Sequence, residues 1–381
     1  MLSFSVHDAV GGIRSLEGAW RTLEHACAER FTYFQSFDWC ATLITSQGGH
    51  AALVAEPRVV TIWRGGRLVL LWPGMVTTMP PGVRVLSVLG APHSQYCTAL
   101  GSNEPCDAAV AAAFRGAIAT QGDIDLVSFD LVPSGSILDQ LVRDWANAVA
   151  GANETAFCQL DSYTGWADHQ ARLTGKQRRN RQRRRNKLAE VGCLDGRVVW
   201  SDDHDHQRLL DFALGWKRTW LKETGRVGAG LAVRGHDAFL AAVPGSASRR
   251  DGAMLLSLEI DGRPVAIEVG FLRAGHFYSY MGSFDWALRD LSPGKVAMEE
   301  CQRWLIENGA HTYDLLGMPA DYKASWTNQS LGLRGYLKPL TLKGRVFGEG
   351  WLTHLRPALK GTYARLPRSL RRGIAAHWLG A

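Results

Sequence analysis

Residues 253–285 read AMLLSLEI, DGR, PVAIEVGFL, RAG, HFYSYMGSFD: three β-rich runs separated by two three-residue breaks. Asp261-Gly262 and Ala274-Gly275 sit where tight hairpin turns demand residues tolerant of positive φ, and such turns join only antiparallel neighbours. The segment therefore predicts a three-strand antiparallel meander. LRDLSPG follows, then a helix expected from about Lys295 to Asn308 with Gly309 as its stop, then a strand in HTYDLLG. Few architectures accommodate that order, and all are mixed α and β.

The first 150 residues share this grammar. Ala19 to Arg30 has a helical pattern, and a second helix starts near Ser36. RVVTIWRGGRLVLLWPGMV reads as a hairpin turning at Gly65-Gly66, and VRVLSVLG as another strand. DAAVAAAFRGAIATQG reads as a helix and DIDLVSFDLVP as a strand ended by Pro133. Two halves with one element order suggest a tandem duplication, with boundaries expected at 1–155, 156–340 and a basic helical tail, 341–381.

Charge is concentrated. The chain of 381 residues carries +7, yet residues 176–190 and 341–381 each hold eight basic residues against a single Glu, Glu190 and Glu349. The remaining 27 basic and 34 acidic residues give −7. Local basicity of this kind points to an anionic ligand or surface. In the helix expected from 176, Arg178, Arg181 and Arg185 share one face and Arg179, Arg183 and Lys187 another. Leu188, Val191 and Leu173 supply only a narrow apolar seam, so a solvated helix or an anion-holding one is expected. The absence of aromatics between Trp166 and Trp200 argues against a nucleic-acid arm, and no specific nucleic-acid partner is expected.

Seven scattered Cys show no CxxC pair and no metal spacing with His, which suits a reducing compartment and no metal. MLSFSVHDAVGG lacks a basic n-region and an apolar h-region, and LVLLW is the longest apolar run, so a cytoplasmic protein is expected. In the tail, Leu352, Leu355, Leu359, Tyr363, Leu366, Leu370 and Ile374 recur at helical spacing, broken by Pro357 and Pro367. Peripheral contact with an anionic membrane is one use of it, and packing back on its own domain is the plainer expectation.

Helix, helix, three antiparallel strands, a glycine loop, a helix and a strand is the order of an N-acetyltransferase (GNAT) fold. The loop has a physical use. A helix N-terminus presents unpaired N–H groups and a positive dipole end, a natural seat for a pyrophosphate. Leu291, Ser292, Pro293, Gly294, Lys295 and Val296 would form it. Gly294 lets the backbone approach an anion, Pro293 has no N–H to leave unpaired, and Lys295 adds charge.

Phe284-Asp285, Ser292-Pro293-Gly294, Asp314, Gly317, Tyr322-Lys323 and Trp326, with KRTW (217–220) and the Arg-rich run upstream, resemble the CelD-type acetyltransferases named for cellulose-biosynthesis proteins. The resemblance spans about residues 15–340. It implies an α/β fold of two GNAT-like domains, the first degenerate, and fold kinship with the Fem-type ligases that use aminoacyl-tRNA. It also implies an acyltransferase that takes acetyl-CoA or another acyl-CoA. The acceptor would be a small, anionic or sugar-linked molecule of the cell-envelope or exopolysaccharide class, held in the cleft between the halves. Transfer from tRNA, or a non-catalytic role in a surface-polysaccharide system, are the competing expectations.

Direct attack on the thioester needs a base, oxyanion donors and a proton for the thiolate. No Cys has a recognisable His partner, so no covalent intermediate is expected. Asp285 and Asp314, each ending a strand near the loop, are the first candidates for the base, and Glu268 the third. In PVAIEVG, Glu268 shares a face with Ala266 and Gly270, and an outward carboxylate on a half-exposed sheet is its plainer reading. Lys323 would orient the acceptor and Tyr322 protonate the thiolate. Backbone N–H groups around Met281–Phe284 would face the oxyanion, and Arg179, Arg183 and Trp220 would hold substrate.

Overall fold

The computed structural model describes residues 1–45, 53–54, 56–102, 106–228, 230–317, 322–367 and 369–374. It divides into two compact units, Met1–Glu154 with Leu331–Leu366, and Thr155–Ser330 with Pro367–Ala381. In the first unit β1 (Leu2–His7) leads through α1 (Val10–Ser15), α2 (Glu17–Ala26) and α3 (Phe37–Ile44) to β2 (Pro57–Arg64), β3 (Arg67–Met79) and β4 (Val83–Val88). These three strands are antiparallel, and the short β5 (Leu100–Gly101) lies beside β3. The crossover helix α4 (Ala108–Ala119) then returns the chain to β6 (Leu126–Pro133), parallel with β4. α5 (Ile137–Val142) and β7 (Asn147–Gln159) follow.

The second unit starts with α6 (Trp166–Arg172), α7 (Gly175–Ala189) and β8 (Leu194–Trp200), followed by α8 (His206–Thr224), α9 (His236–Ala242) and the short β9 (Gly245–Ser246). The expected meander is β10 (Asp251–Ile260), β11 (Arg263–Arg273) and β12 (His276–Phe284). α10 (Pro293–Glu307) crosses over to β13 (Thr312–Gly317), parallel with β12. β14 (Gln329–Pro339), α11 (Leu342–Val346) and α12 (Arg356–Arg365) follow. Strand, helices, three antiparallel strands, crossover helix, parallel strand: both units have this order, the tandem α/β arrangement of GNAT type that the sequence suggests.

The turns are where positive φ was required. Gly65 and Gly66 have φ of 58° and 81°, Asp261 and Gly262 48° and 76°, and Ala274 and Gly275 46° and 76°. The division after 340 is different. Residues 331–366 belong to the first unit because β14 pairs antiparallel with β6, from Leu333 opposite Pro133 to Pro339 opposite Leu126. Gly344 then lies against the carbonyl of Asp125 and Phe347 is buried among Val83, Val85 and Leu126. Pro357 does not break the tail: the helix widens to π geometry over Phe347–Leu355 and continues as α12.

In the second unit, Met254, Leu256 and Leu258 of β10 pack with Ala266, Leu272 and Phe277 against Val296, Cys301 and Leu305 of α10. The basic helix α7 lies on the same helix. Thr174 and Gln177 form its capping box. The Arg178–Arg181–Arg185 row is not solvated as a whole. The Arg181 guanidinium is buried 3.9 Å from the centre of the Trp326 ring, donating to Gln302 Oε1 (3.4 Å) and the Ser325 carbonyl (3.3 Å). Arg185 pairs with buried Glu300, which Arg303 also meets at 2.6 Å. Replacing Arg181 by Ala should strand the buried Glu299 carboxyl beside it and void the site under Trp326, a loss on the order of 3 kcal/mol or roughly 6–12 °C in Tm. Arg183→Ala, on the exposed row, should leave Tm within about 2 °C in the same thermal melt.

Candidate active site

β12 and β13 pair through only three residue pairs, His276–Thr312, Phe277–Tyr313 and Tyr278–Asp314. Beyond them β12 runs on to Phe284 beside β11, while β13 turns toward β7, with Gly317 opposite Thr155. Strands that part must find new partners for their backbone groups. On β13 two side chains supply them. Asp314 accepts from Leu316 N (2.8 Å), from Thr155 Oγ1 (3.0 Å) and at 3.1 Å faces His276 Nε2. Lys323 Nζ donates to the carbonyls of Leu316 (3.0 Å) and Gly317 (3.1 Å). Leu316 itself is left-handed, φ 61°. On β12 the register shifts between Gly270 opposite Ser279 and Val269 opposite Met281, which leaves Tyr280 as an extra residue. Such a bulge interrupts the ladder and re-aims backbone N–H groups.

At this gap lie groups of opposite character. Glu268 is 2% exposed, so the half-exposed setting expected for it is wrong: period-2 alternation chose its face, but α10 covers that face. Its Oε1 accepts from Ser279 Oγ (2.6 Å) and from the Tyr313 hydroxyl, while Oε2 is buried without a hydrogen-bond partner. Burial pushes the Glu268 carboxyl above its ordinary range, against the two hydrogen bonds that favour the carboxylate. Tyr322 is 46% exposed, and its hydroxyl is raised by desolvation, then by the Glu268 charge, with Arg226 opposing. From α8, Lys217 Nζ donates to the Gly282 carbonyl (3.1 Å) and sits 4.7 Å from the centre of the Trp220 ring. The Arg226 guanidinium lies 5.0 Å from the same ring. No described carboxylate pairs with either cation. Desolvation, then the neighbouring Arg226 charge, lowers the Lys217 ammonium to about 8.

The 291–296 loop leads from a 3₁₀ turn, Trp286–Leu291, into α10. Ser292 is left-handed (φ 58°), Pro293 is the first helical residue, and a Cβ on Gly294 would stand 3.2 Å from Phe284 Cδ1. Lys295 N donates to the Ser292 carbonyl (3.0 Å). Desolvation, then the charge of Arg184, lowers the Lys295 ammonium, so α7 brings a second cation to this helix N-terminus.

The sequence candidates thus separate. Glu268, Tyr322 and Trp220 stand around the gap, whereas Asp314 and Lys323 are the buried braces that make it. Asp285 caps the 3₁₀ turn, accepting from Ala287 N (2.9 Å). Asp285 and Asp314 do not converge: Asp314 is level with Tyr278, seven residues back along β12, a separation of about 20 Å. Arg179 and Arg183 lie on the exposed row of α7, and it is the charge of Arg184 that reaches Lys295. Lys217 and Arg226 were missed as site residues, although KRTW was a visible motif. Residues 318–321, which precede Tyr322, lie outside the described residues.

Residues 175–324 match the family model described as an acetyltransferase (GNAT) domain, and all of them lie in the second unit. No curated protein matches the chain in sequence. Among solved structures, FemX is 12% identical, with a TM-score of 0.57 over 91% of this chain and 99% of that one. A conserved protein of unknown function from Bacteroides thetaiotaomicron is 12% identical, TM-score 0.55, over 90% of this chain and 100% of that one. A C-terminal domain assigned to a lysylphosphatidylglycerol synthetase from Agrobacterium fabrum is 12% identical, TM-score 0.50, over 73% and 83%. The second unit carries a GNAT-type acetyltransferase domain, and at these identities the solved structures share the fold.

Raising the Glu268 pKa in the folded state means that the fold binds more protons than the unfolded chain once pH exceeds the ordinary carboxyl value of 4.5. The stability that neutral Glu268 contributes is present below that pH and lost as pH rises through the folded value. Glu268→Gln, permanently neutral, should therefore gain stability relative to wild type as pH rises from 4.5, read as the difference between urea midpoints across a pH series. A constant difference would show that Glu268 does not titrate in this way.

Proposed function

We propose that the second unit transfers an acyl group from acyl-CoA to an amine or hydroxyl of a small anionic acceptor, by direct attack in a ternary complex. The parting of β12 from β13 carries this reading, since it presents re-aimed backbone donors beside a buried carboxyl and next to a cationic helix N-terminus. The CoA phosphates would lie on the 291–296 loop with Lys295 and Arg184, and the pantetheine along the free edge of β12. N–H groups at the Tyr280 bulge would receive the developing oxyanion. The acceptor's anionic group would be held by Lys217 and Arg226, two cations that lie 4.7 and 5.0 Å from the centre of the Trp220 ring.

Glu268 takes over from Asp285 and Asp314 as the proposed base, because Oε2 has no partner within the protein and its raised affinity for protons suits the task. The acceptor's lone pair forms the new bond to the acyl carbon, its proton passes to Glu268, and the C–S bond breaks. Tyr322 supplies the thiolate's proton and recovers one from Glu268 afterwards. The resemblance to CelD-type proteins makes a cell-envelope or exopolysaccharide precursor the acceptor class to test first. The exposed cations of α7 favour a second reading, acyl transfer from aminoacyl-tRNA.

Thermal-shift and binding titrations separate the two. Lys295→Glu with Arg184→Glu should weaken CoA binding at least about tenfold, ~1.4 kcal/mol, while leaving the apo melting temperature near wild type. Stabilisation by tRNA at physiological salt, with none by CoA, would transfer the assignment to the second reading. With an acceptor in hand, Glu268→Gln should lower kcat by about 10²–10⁴-fold. Lys217→Met should act mainly on acceptor KM.

A further inference from the structure

α12, at the end of the first unit, begins with two exposed leucines that no described hydrophobic cluster takes in. Residues 354–362 are all exposed, with Leu355 at 51% and Leu359 at 52%. The preceding turns do pack: Phe347 is buried, and Trp351 and Leu352 lie against the Val83–Leu126–Leu337 cluster. Exposure rises where α12 begins. Leu355, the last residue of the π turn, and Leu359 of α12 are four residues apart in one continuous helix, so they share one face of it. Arg356 and Lys360 lie along one edge of that face and Arg365 along the other. Residues 341–366 hold five cations and one acid, Glu349. Lys343 is engaged with Asp125 at 2.7 Å, but Arg345, Arg356, Lys360 and Arg365 pair with no described carboxylate.

Apolar side chains on one face, bordered by cations whose long stems lie beside it, describe a helix that rests in the headgroup layer of an anionic bilayer. A protein partner of complementary charge would leave the leucines to be matched by an apolar groove, whereas acyl chains take any apolar stripe and anionic headgroups take the flanking cations. No described helix is long and apolar enough to cross a membrane, so the contact would be peripheral. We infer that the exposed Leu355 and Leu359 at the start of α12, with Arg356, Lys360 and Arg365, dock this protein on the surface of anionic phospholipid membranes. This inference is independent of the proposed acyl transfer.

The test is co-sedimentation of the full chain with phosphatidylcholine vesicles, alone or mixed with phosphatidylglycerol. Wild type should pellet only with the mixed vesicles, and less as salt is added. Leu355→Ser with Leu359→Ser should lower vesicle partitioning by about tenfold. Net charge is unchanged in that variant, so the loss cannot be assigned to the second cationic helix, α7. Arg356→Gln with Lys360→Gln should cost on the order of tenfold as well. Both variants should melt with wild type, because the residues changed are exposed. Wild type left in the supernatant, or a serine variant that pellets like wild type, would overturn the inference. So would a wild-type dimer on gel filtration that the serine substitutions convert to monomer, since a second copy would then occupy that face.

Discussion

Everything proposed for the second unit depends on two adjacent parallel strands parting after three residue pairs. Sheets do not part without a cost, because each separated N–H and C=O must be satisfied elsewhere. Here the cost is met by one side chain of β13 and one from the turn that follows it. The Asp314 carboxylate takes the Leu316 N–H, and the Lys323 ammonium takes the carbonyls of Leu316 and Gly317. The opposite edge, the outer part of β12, keeps its pairing to β11 and gains a bulge. One side of the gap is closed by charged side chains and the other left with backbone donors, an asymmetry suited to holding an extended ligand along β12.

Electrostatics follows from that geometry. α10 covers the face that bears Glu268, so its carboxyl is desolvated and holds its proton to higher pH. Lys217, from α8, meets the gap at Gly282 and is held at lower proton affinity by burial and by Arg226. A proton-retaining acid and a proton-shedding amine beside one opening are a pairing that active sites favour. The cations of α7 divide likewise: Arg181 and Arg185 compensate the buried Glu299 and Glu300 of α10, while the charge of Arg184 is felt at Lys295.

The local features were legible. Asp261-Gly262, Ala274-Gly275 and Gly65-Gly66 announced their hairpins because only certain residues accept positive φ, and Ser292-Pro293-Gly294 announced the loop before α10. Chemistry at a distance was less so. Asp314 and Lys323 drew notice as reactive types in the right segment, but their role as braces depends on a strand parting that no periodicity encodes. Alternation placed Glu268 on a face without revealing that a helix some thirty residues on would cover it. Arg181 read as solvated because the acids and the indole that receive it lie on elements more than a hundred residues away. β14 went unassigned to the first unit because its partner, β6, is some two hundred residues earlier.

Amide hydrogen exchange of the intact protein with and without acetyl-CoA tests the central claim most directly, since it reads the backbone groups on which the claim rests. Protection should appear at residues 279–284 of β12 and at 293–296, the start of α10, with little change on β13, whose groups are already bonded within the protein. Protection confined to α7, or none in β12 under saturating acetyl-CoA, would contradict it.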